Sequence, residues 1–194
     1  MDSERYDRED LQNAVRVMRE GGIVLYPTDT VWGIGCDATC EEAVRRIFAL
    51  KQREDSKSML MLLDGAGKLQ GYVDVPDAAW QLLEVSEGCN PLTIIYPNAR
   101  NIAPSLIAED GSVGIRITEE PFSKALCQAL HHPVVSTSAN ISGQPAAKTF
   151  RQIAPEIVNG VDYVCLFRRN DRAEHKPSSI IKIGSGNEIQ IIRK

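Results

Sequence analysis

Lys51, Arg53 and Lys57 set three cations within seven residues, between an apolar-striped segment and a short apolar run. Cations favour helix C-termini and are often simply solvated there. The alternative is an anion site, with Arg53 forking onto a phosphate and the lysines adding point charge. A second dense group is Ser136-Thr137-Ser138-Ala139-Asn140-Ile141-Ser142-Gly143, directly after the apolar run Pro133 to Val135. The C-terminal edge of parallel strands is where α/β folds bind ligands, although Ser and Asn are also ordinary turn formers. Together the two clusters suit an anionic, hydroxyl-rich small molecule, a description that a nucleotide meets.

Other chemistries find less support. No Walker A pattern is present. Gly33-x-Gly35-x-x-Ala38 matches a loose dinucleotide fingerprint, but Pro27 to Trp32 separate those glycines from the preceding strand, so close backbone packing explains them better. No Gly-x-Ser-x-Gly elbow exists. His131-His132 sit at a helix-to-strand junction, where a structural or solvated histidine is expected. Cys36, Cys40, Cys89, Cys127 and Cys165 are odd in number and irregularly spaced, and the histidines do not complete a zinc set. They read as reduced, structural thiols, and no fixed metal site is expected.

The elements that must position these groups follow from periodicity. Leu11, Ala14, Val15 and Met18 mark an amphipathic helix, capped by Asp7 and ended by Gly21-Gly22. Ile23 to Tyr26 is a buried strand, stopped by Pro27. Thr39-x-x-Glu42 is a capping box that starts a helix near Cys40, running out near Lys51-Gln52-Arg53. Strands are expected over Ser58 to Leu63, Leu92 to Tyr96, Val113 to Ile117 and Pro133 to Ser136. Helices are expected over Ala78 to Leu83 and Pro121 to Leu130, the latter with Thr118 near its start. Thr149-x-x-Gln152 opens another helix to about Val158. Val161 to Phe167, Ser179 to Ile183 and Glu188 to Ile192 close the chain as strands, the last two as a hairpin about Gly184 to Asn187. Arg168 to Lys176 reads as a mobile loop. Interleaved strands and helices predict one α/β domain over residues 1–194, built on a mixed sheet that is parallel-rich in its first two thirds.

Composition narrows the class. The 194 residues are 43% hydrophobic and 25% charged, an ordinary globular balance. The net charge of −4 restricts any nucleic-acid binding to something local or weak. No apolar stretch approaches about 20 residues, so no membrane span is expected. The charged start Met1-Asp2-Ser3-Glu4-Arg5 lacks the apolar centre of a signal peptide, so a cytoplasmic location is expected.

Three separated motifs make the chain recognisable. Tyr26-Pro27-Thr28-Asp29-Thr30-Val31-Trp32-Gly33-Ile34-Gly35, Lys51-Gln52-Arg53 and Ser136 to Gly143 resemble the YrdC family, with Pro91-Leu92-Thr93 and Val113-Gly114-Ile115-Arg116 in support. The resemblance covers nearly the whole chain and looks like the single-domain form. It implies an open, twisted α/β sheet flanked by helices, with a large concave, positively charged groove. It also implies a nucleotidyltransferase, an L-threonylcarbamoyladenylate synthase. Such an enzyme makes threonylcarbamoyl-AMP and pyrophosphate from L-threonine, bicarbonate or CO2, and ATP. Transferase proteins downstream would then modify adenosine next to the tRNA anticodon. Mg2+ would arrive with ATP, and no organic cofactor is implied. Carried over by motif, Thr30, Arg116, Ser136 and Ser178 form the threonine subsite, with Arg116 on the carboxylate. Lys51, Arg53, Lys57, Ser112, Ser138, Asn140 and Arg193 form the ATP subsite, with Lys51 and Arg53 as the catalytic cations. Glu54, Cys89-Asn90 and Leu62 depart from the family pattern, Leu62 where some members place a polar group facing threonine. The competing readings are an RNA-binding module using the same groove, with weak tRNA contact, or a paralogue without this activity.

Overall fold

Asp7 accepts the Glu9 N–H at 2.8 Å and caps α1, Arg8–Arg19, as its Ser/Thr/Asp/Asn-type position requires. The computed structural model describes residues 6–52, 59–86, 90–172 and 177–194. Four further α-helices among these are α2 (Glu41–Lys51), α3 (Asp77–Ser86), α4 (Pro121–Leu130) and α5 (Pro155–Gly160). The strands are β1 (Val24–Tyr26), β2 (Gly33–Gly35), β3 (Leu60–Leu63), β4 (Leu92–Tyr96) and β5 (Val113–Ile117). They continue as β6 (Val134–Ser138), β7 (Tyr163–Val164), β8 (Ser179–Ile183) and β9 (Ile189–Arg193). No described helix is long and apolar enough to cross a membrane.

One sheet orders the strands β7-β1-β2-β6-β3-β5-β4-β8-β9. It is mixed, as expected, but the parallel-rich expectation fails. Only β1/β7, β3/β5 and β4/β8 are parallel; the other five pairings are antiparallel. Alternation of helix and strand suggested parallel neighbours, yet the helices link strands that are not adjacent. After α4, for example, β6 inserts antiparallel between β2 and β3.

Alternation along the strands sorts side chains onto two faces. One face, with Met61, Leu63, Ile94, Ile115, Val135 and Ile183, packs against α2 and α3 in the main core. The other carries Val24, Tyr26, Leu62 and Val134, which α1 and α4 cover with Ala14, Met18, Phe122 and Leu126. Leu62 is therefore fully buried beneath α4, not facing a ligand. That second cover is partial. Farther along β6, β5 and β4 the same face is open, and this uncovered part becomes the groove.

Several local expectations are corrected. Thr39 does not cap α2: its hydroxyl donates to Asp37 Oδ1 at 2.6 Å, and Cys40 is the cap residue without a side-chain bond. Glu120, not Thr118, caps α4, accepting from Phe122 N and Ser123 N at 3.2 and 2.7 Å. The helix expected from Thr149 breaks into a 3-10 turn, Phe150–Gln152, and α5, which starts anew at Pro155.

β2 is a strand that periodicity missed. A Cβ on Gly35 would lie 2.2 Å from the Val135 carbonyl oxygen and 2.7 Å from the Tyr26 ring. The glycine thus allows β2 to meet both neighbours. Gly35→Ala should destabilise the fold by about 3 kcal/mol, the upper range for overpacking. Gly67→Ala, with nothing within 4 Å of the added Cβ, is the control. Paired thermal unfolding checks this; equal melting temperatures would contradict the close approach.

Candidate active site

The open half of the sheet face forms a groove of about 280 Å3. Its walls include Thr30 from the β1–β2 connection, Arg116 on β5, Ser136 and Ser138 on β6, Ser178 before β8 and Arg193 on β9. The expected threonine subsite, Thr30, Arg116, Ser136 and Ser178, thus converges in one place, joined by Ser138 and Arg193 from the expected ATP subsite. Ser136 to Ser138 belong to β6 itself, so the hydroxyl-rich segment begins as strand and becomes a turn only after it. β6 is antiparallel to both neighbours, so the parallel-edge rationale for this segment does not apply.

Arg116 is 3% exposed and its Nη2 sits 2.9 Å from Asp29 Oδ1. Among the described residues its Nε has no hydrogen-bond partner, and a buried donor left unpaired is costly. Thr28 donates to the Val31 carbonyl at 2.7 Å and lies 3.0 Å from the Thr30 hydroxyl. Since Thr28 has one proton to give, Thr30 donates to Thr28, which leaves the Thr30 oxygen as an acceptor. Ser178 Oγ lies 2.8 Å from Thr93 Oγ1, a second groove hydroxyl.

Arg193 reaches the groove through a bulge. Ile183, Lys182 and Ile181 pair with Ile189, Gln190 and Ile191, but Ile180 pairs with Arg193, so Ile192 is the extra residue. Without it Arg193 would fall on the opposite face, and re-aiming a side chain is a common use of such bulges. Its Nε donates to the Ser178 carbonyl at 2.9 Å. Burial, then the charge of Arg116, push the Arg193 guanidinium below its usual pKa. The groove thus holds two guanidinia near enough to oppose each other's charge, a buried one at Arg116 and an exposed one at Arg193.

The other expected residues are placed differently. Lys51 ends α2 with 1% exposure. Its ammonium donates to the Ser138 carbonyl and, at 2.6 Å, to the Asn140 carbonyl, while its own carbonyl accepts Ser142 N–H at 2.9 Å. It therefore pins the turn after β6 from beneath and is not part of the groove wall. Asn140 also serves that turn, donating to the carbonyls of Ile141 and Gln144 at 3.0 and 2.7 Å. Ser112 spends its hydroxyl and N–H on Asp110, whose carboxyl Lys182 and Ser112 hold down at about 2. It too is not on the groove wall. Arg53, Lys57, Glu54 and Cys89 lie outside the described residues. Met59, the next described residue after the 53–58 segment, lines the groove.

Residue-by-residue reading missed Asp29, Thr28 and Thr93. Thr93 had a signal: it is the one polar side chain in the run Leu92 to Tyr96 before its terminal tyrosine, and alternation puts it opposite Ile94. Asp29 had none beyond its place between two threonines. His132, by contrast, proves structural: its Nδ1 lies 2.7 Å from Asp37 Oδ2. Cys36, Cys127 and Cys165 are buried and unbridged. Among the described residues no three His, Cys, Asp or Glu side chains gather to hold a metal.

Comparison with known proteins adds a separate line of observation. The family model Sua5_yciO_yrdC, described as "Telomere recombination", matches residues 16–194. The threonylcarbamoyl-AMP synthase of Stenotrophomonas maltophilia is 36% identical over 156 residues, 78% of this chain and 83% of that protein. The protein of the same name from Vibrio cholerae is 32% identical over 188 residues, 96% and 97% of the two chains. A solved structure of a doubly substituted P. abyssi Sua5 superposes with a TM-score of 0.82 at 25% identity, over 92% of this chain. This chain spans only 54% of that one.

Proposed function

The chain belongs to the Sua5/YciO/YrdC family, and on that premise we propose that it is a threonylcarbamoyl-AMP synthase acting as a nucleotidyltransferase. Its substrates are L-threonine, bicarbonate or CO2, and MgATP; its products are threonylcarbamoyl-AMP and pyrophosphate, the first passed to proteins that modify tRNA. The observation that carries this reading is the pair of guanidinia, buried Arg116 and exposed Arg193, in one hydroxyl-walled groove. Such a site suits a substrate with a carboxylate at one end and phosphates at the other.

The residues divide the work by their spare hydrogen-bonding capacity. Arg116, oriented by Asp29, has an unpaired Nε to donate to the threonine carboxylate. The Thr30 oxygen accepts from the threonine amine and so aims its nitrogen; the neutral amine is the form that attacks CO2. The nitrogen–carbon bond forms, the amine proton passes to water, and the carbamate oxygen attacks the α-phosphorus as pyrophosphate departs. Negative charge grows on the phosphate oxygens. Positioned cations then lower the barrier more than a general base would. Arg193 supplies one, and Arg53 and Lys57 are proposed as the others. Mg2+ is carried on the ATP phosphates and adds charge of its own. Lys51 acts indirectly, by fixing the turn that follows Ser138.

Purified protein with MgATP should release pyrophosphate only when both L-threonine and bicarbonate are present. An equal rate without threonine would mark a simple ATPase and sink the proposal. Binding of RNA without pyrophosphate release would favour the binding module instead.

A further inference from the structure

β5 carries a glycine where a side chain would fit. Val113 and Ile115 belong to the main core, so alternation turns Gly114 to the opposite face, where it lines the groove. A glycine inside a strand weakens it. Its usual reasons are a bulge, a tight bend, the close approach of another backbone, or the close approach of a ligand. The first three do not hold here. β5 pairs with β3 and with β4 in unbroken register. The φ of Gly114 is not positive. Among the described residues, a Cβ added there would meet Leu60 Cβ and Thr93 Cγ2 at 3.5 Å and Ile95 Cγ1 at 3.8 Å, all side-chain atoms at ordinary contact distance. Gly35 is the contrast, with a carbonyl oxygen 2.2 Å from the same added atom.

What remains is a ligand, and the surroundings of Gly114 say which part of one. β5 lies between β3 and β4, so Leu60 stands on one side of the hollow and Thr93 and Ile95 on the other. All three present carbon to it. Thr93 turns its methyl that way, while its hydroxyl lies 2.8 Å from Ser178 Oγ. With walls on both sides in contact distance of a single carbon, the hollow holds a methyl group and is too narrow for a purine laid flat. The neighbours beyond those walls are the residues of the threonine subsite. Arg116 follows two residues on along the same face of β5, Ser136 pairs with Leu60, and Ser178 meets Thr93.

On the reading of the protein as a synthase that uses L-threonine, we propose that Gly114 is a specificity-determining residue: the hollow above it takes the methyl group of the threonine side chain, walled by Leu60, Ile95 and the Thr93 methyl. A side chain at this position would fill the space that the substrate fills. One methyl in an apolar pocket discriminates by about 10- to 200-fold. L-serine, which lacks that methyl, would leave the hollow empty, so the hollow selects threonine over serine.

The test is Gly114→Ala in the full chain, read by calorimetric binding of L-threonine and L-serine and by pyrophosphate release with each, under saturating MgATP and bicarbonate. The ratio of kcat/KM for threonine over serine should fall at least about tenfold, with threonine losing more than serine. The KM for ATP should change less than about threefold. The melting temperature should not fall, because the added carbon enters at ordinary contact distance and alanine is less costly than glycine within a strand. A wild type that uses L-threonine, with a ratio in the variant still within about two-fold of it, overturns this inference alone. So does a raised KM for ATP with threonine use intact, which would place the base over Gly114, or a lowered melting temperature, which would make the glycine a packing requirement. A wild type that neither binds L-threonine nor releases pyrophosphate with it overturns the synthase reading, and this inference with it.

Discussion

Replacing Arg116 by lysine should lower kcat/KM for L-threonine about ten- to hundred-fold, the equivalent of one charge-assisted hydrogen bond of roughly 1.5–3 kcal/mol. The substitution keeps the charge and can keep a contact to Asp29, which lies 2.9 Å from Nη2. It removes the planar fork, and with it the Nε donor that no group among the described residues satisfies. The effect should therefore appear as a raised KM for threonine, with ATP affinity much less changed. Arg116→Ala should lose activity further and also melt earlier, because it leaves the Asp29 carboxylate beside an emptied buried site. Steady-state kinetics on both variants, with thermal unfolding in parallel, separates binding from structure. If Arg116→Lys stays within two-fold of wild type, a difference of about 0.4 kcal/mol, the carboxylate assignment is wrong.

Lys51→Met should lower the melting temperature by roughly 5–10 °C. The ammonium donates to two carbonyls at the turn after β6, those of Ser138 and Asn140. Each carbonyl left unpaired costs about 1–3 kcal/mol, less whatever water recovers at these half-exposed residues. For a chain of this size 1 kcal/mol is worth about 2–4 °C. Activity should fall with stability, and it should fall through kcat as well as KM, because the displaced turn carries Ser138 away from the groove. Differential scanning calorimetry decides the matter. An unchanged melting temperature with lost ATP turnover would mean that the ammonium serves phosphate directly, as the Lys-x-Arg spacing by itself suggested.

That contrast marks where sequence reasoning stops. β4, β5, β8 and α4 were legible to the residue, because each is an unbroken run whose burial is set locally. β2 was not, since Gly-Ile-Gly has little strand propensity and is a strand only because its neighbours approach closely. β7 ends at Val164, short of the apolar run to Phe167, because the Asp10 carboxylate on α1 takes the N–H groups of Leu166 and Phe167 at 2.9 Å. Arg168, read as part of a mobile loop, reaches the Thr28 carbonyl at 3.1 Å. These are tertiary contacts between residues far apart in the chain. The site shows the same division. Thr30, Arg116, Ser136, Ser138, Ser178 and Arg193 were found by motif and do meet in one groove. The direction of Lys51 was invisible, because it depends on carbonyls 87 and 89 residues away. The aim of Arg193 was equally hidden, since one bulged residue decides which face it occupies.

The most direct measurement is mass spectrometry of the nucleotide product formed from 13C-bicarbonate, L-threonine and MgATP. The account predicts a threonine-containing adenylate heavier by the single labelled carbon, formed with an equal amount of pyrophosphate and absent when threonine is left out. ADP and phosphate, or an adenylate that contains threonine but no label, would contradict it.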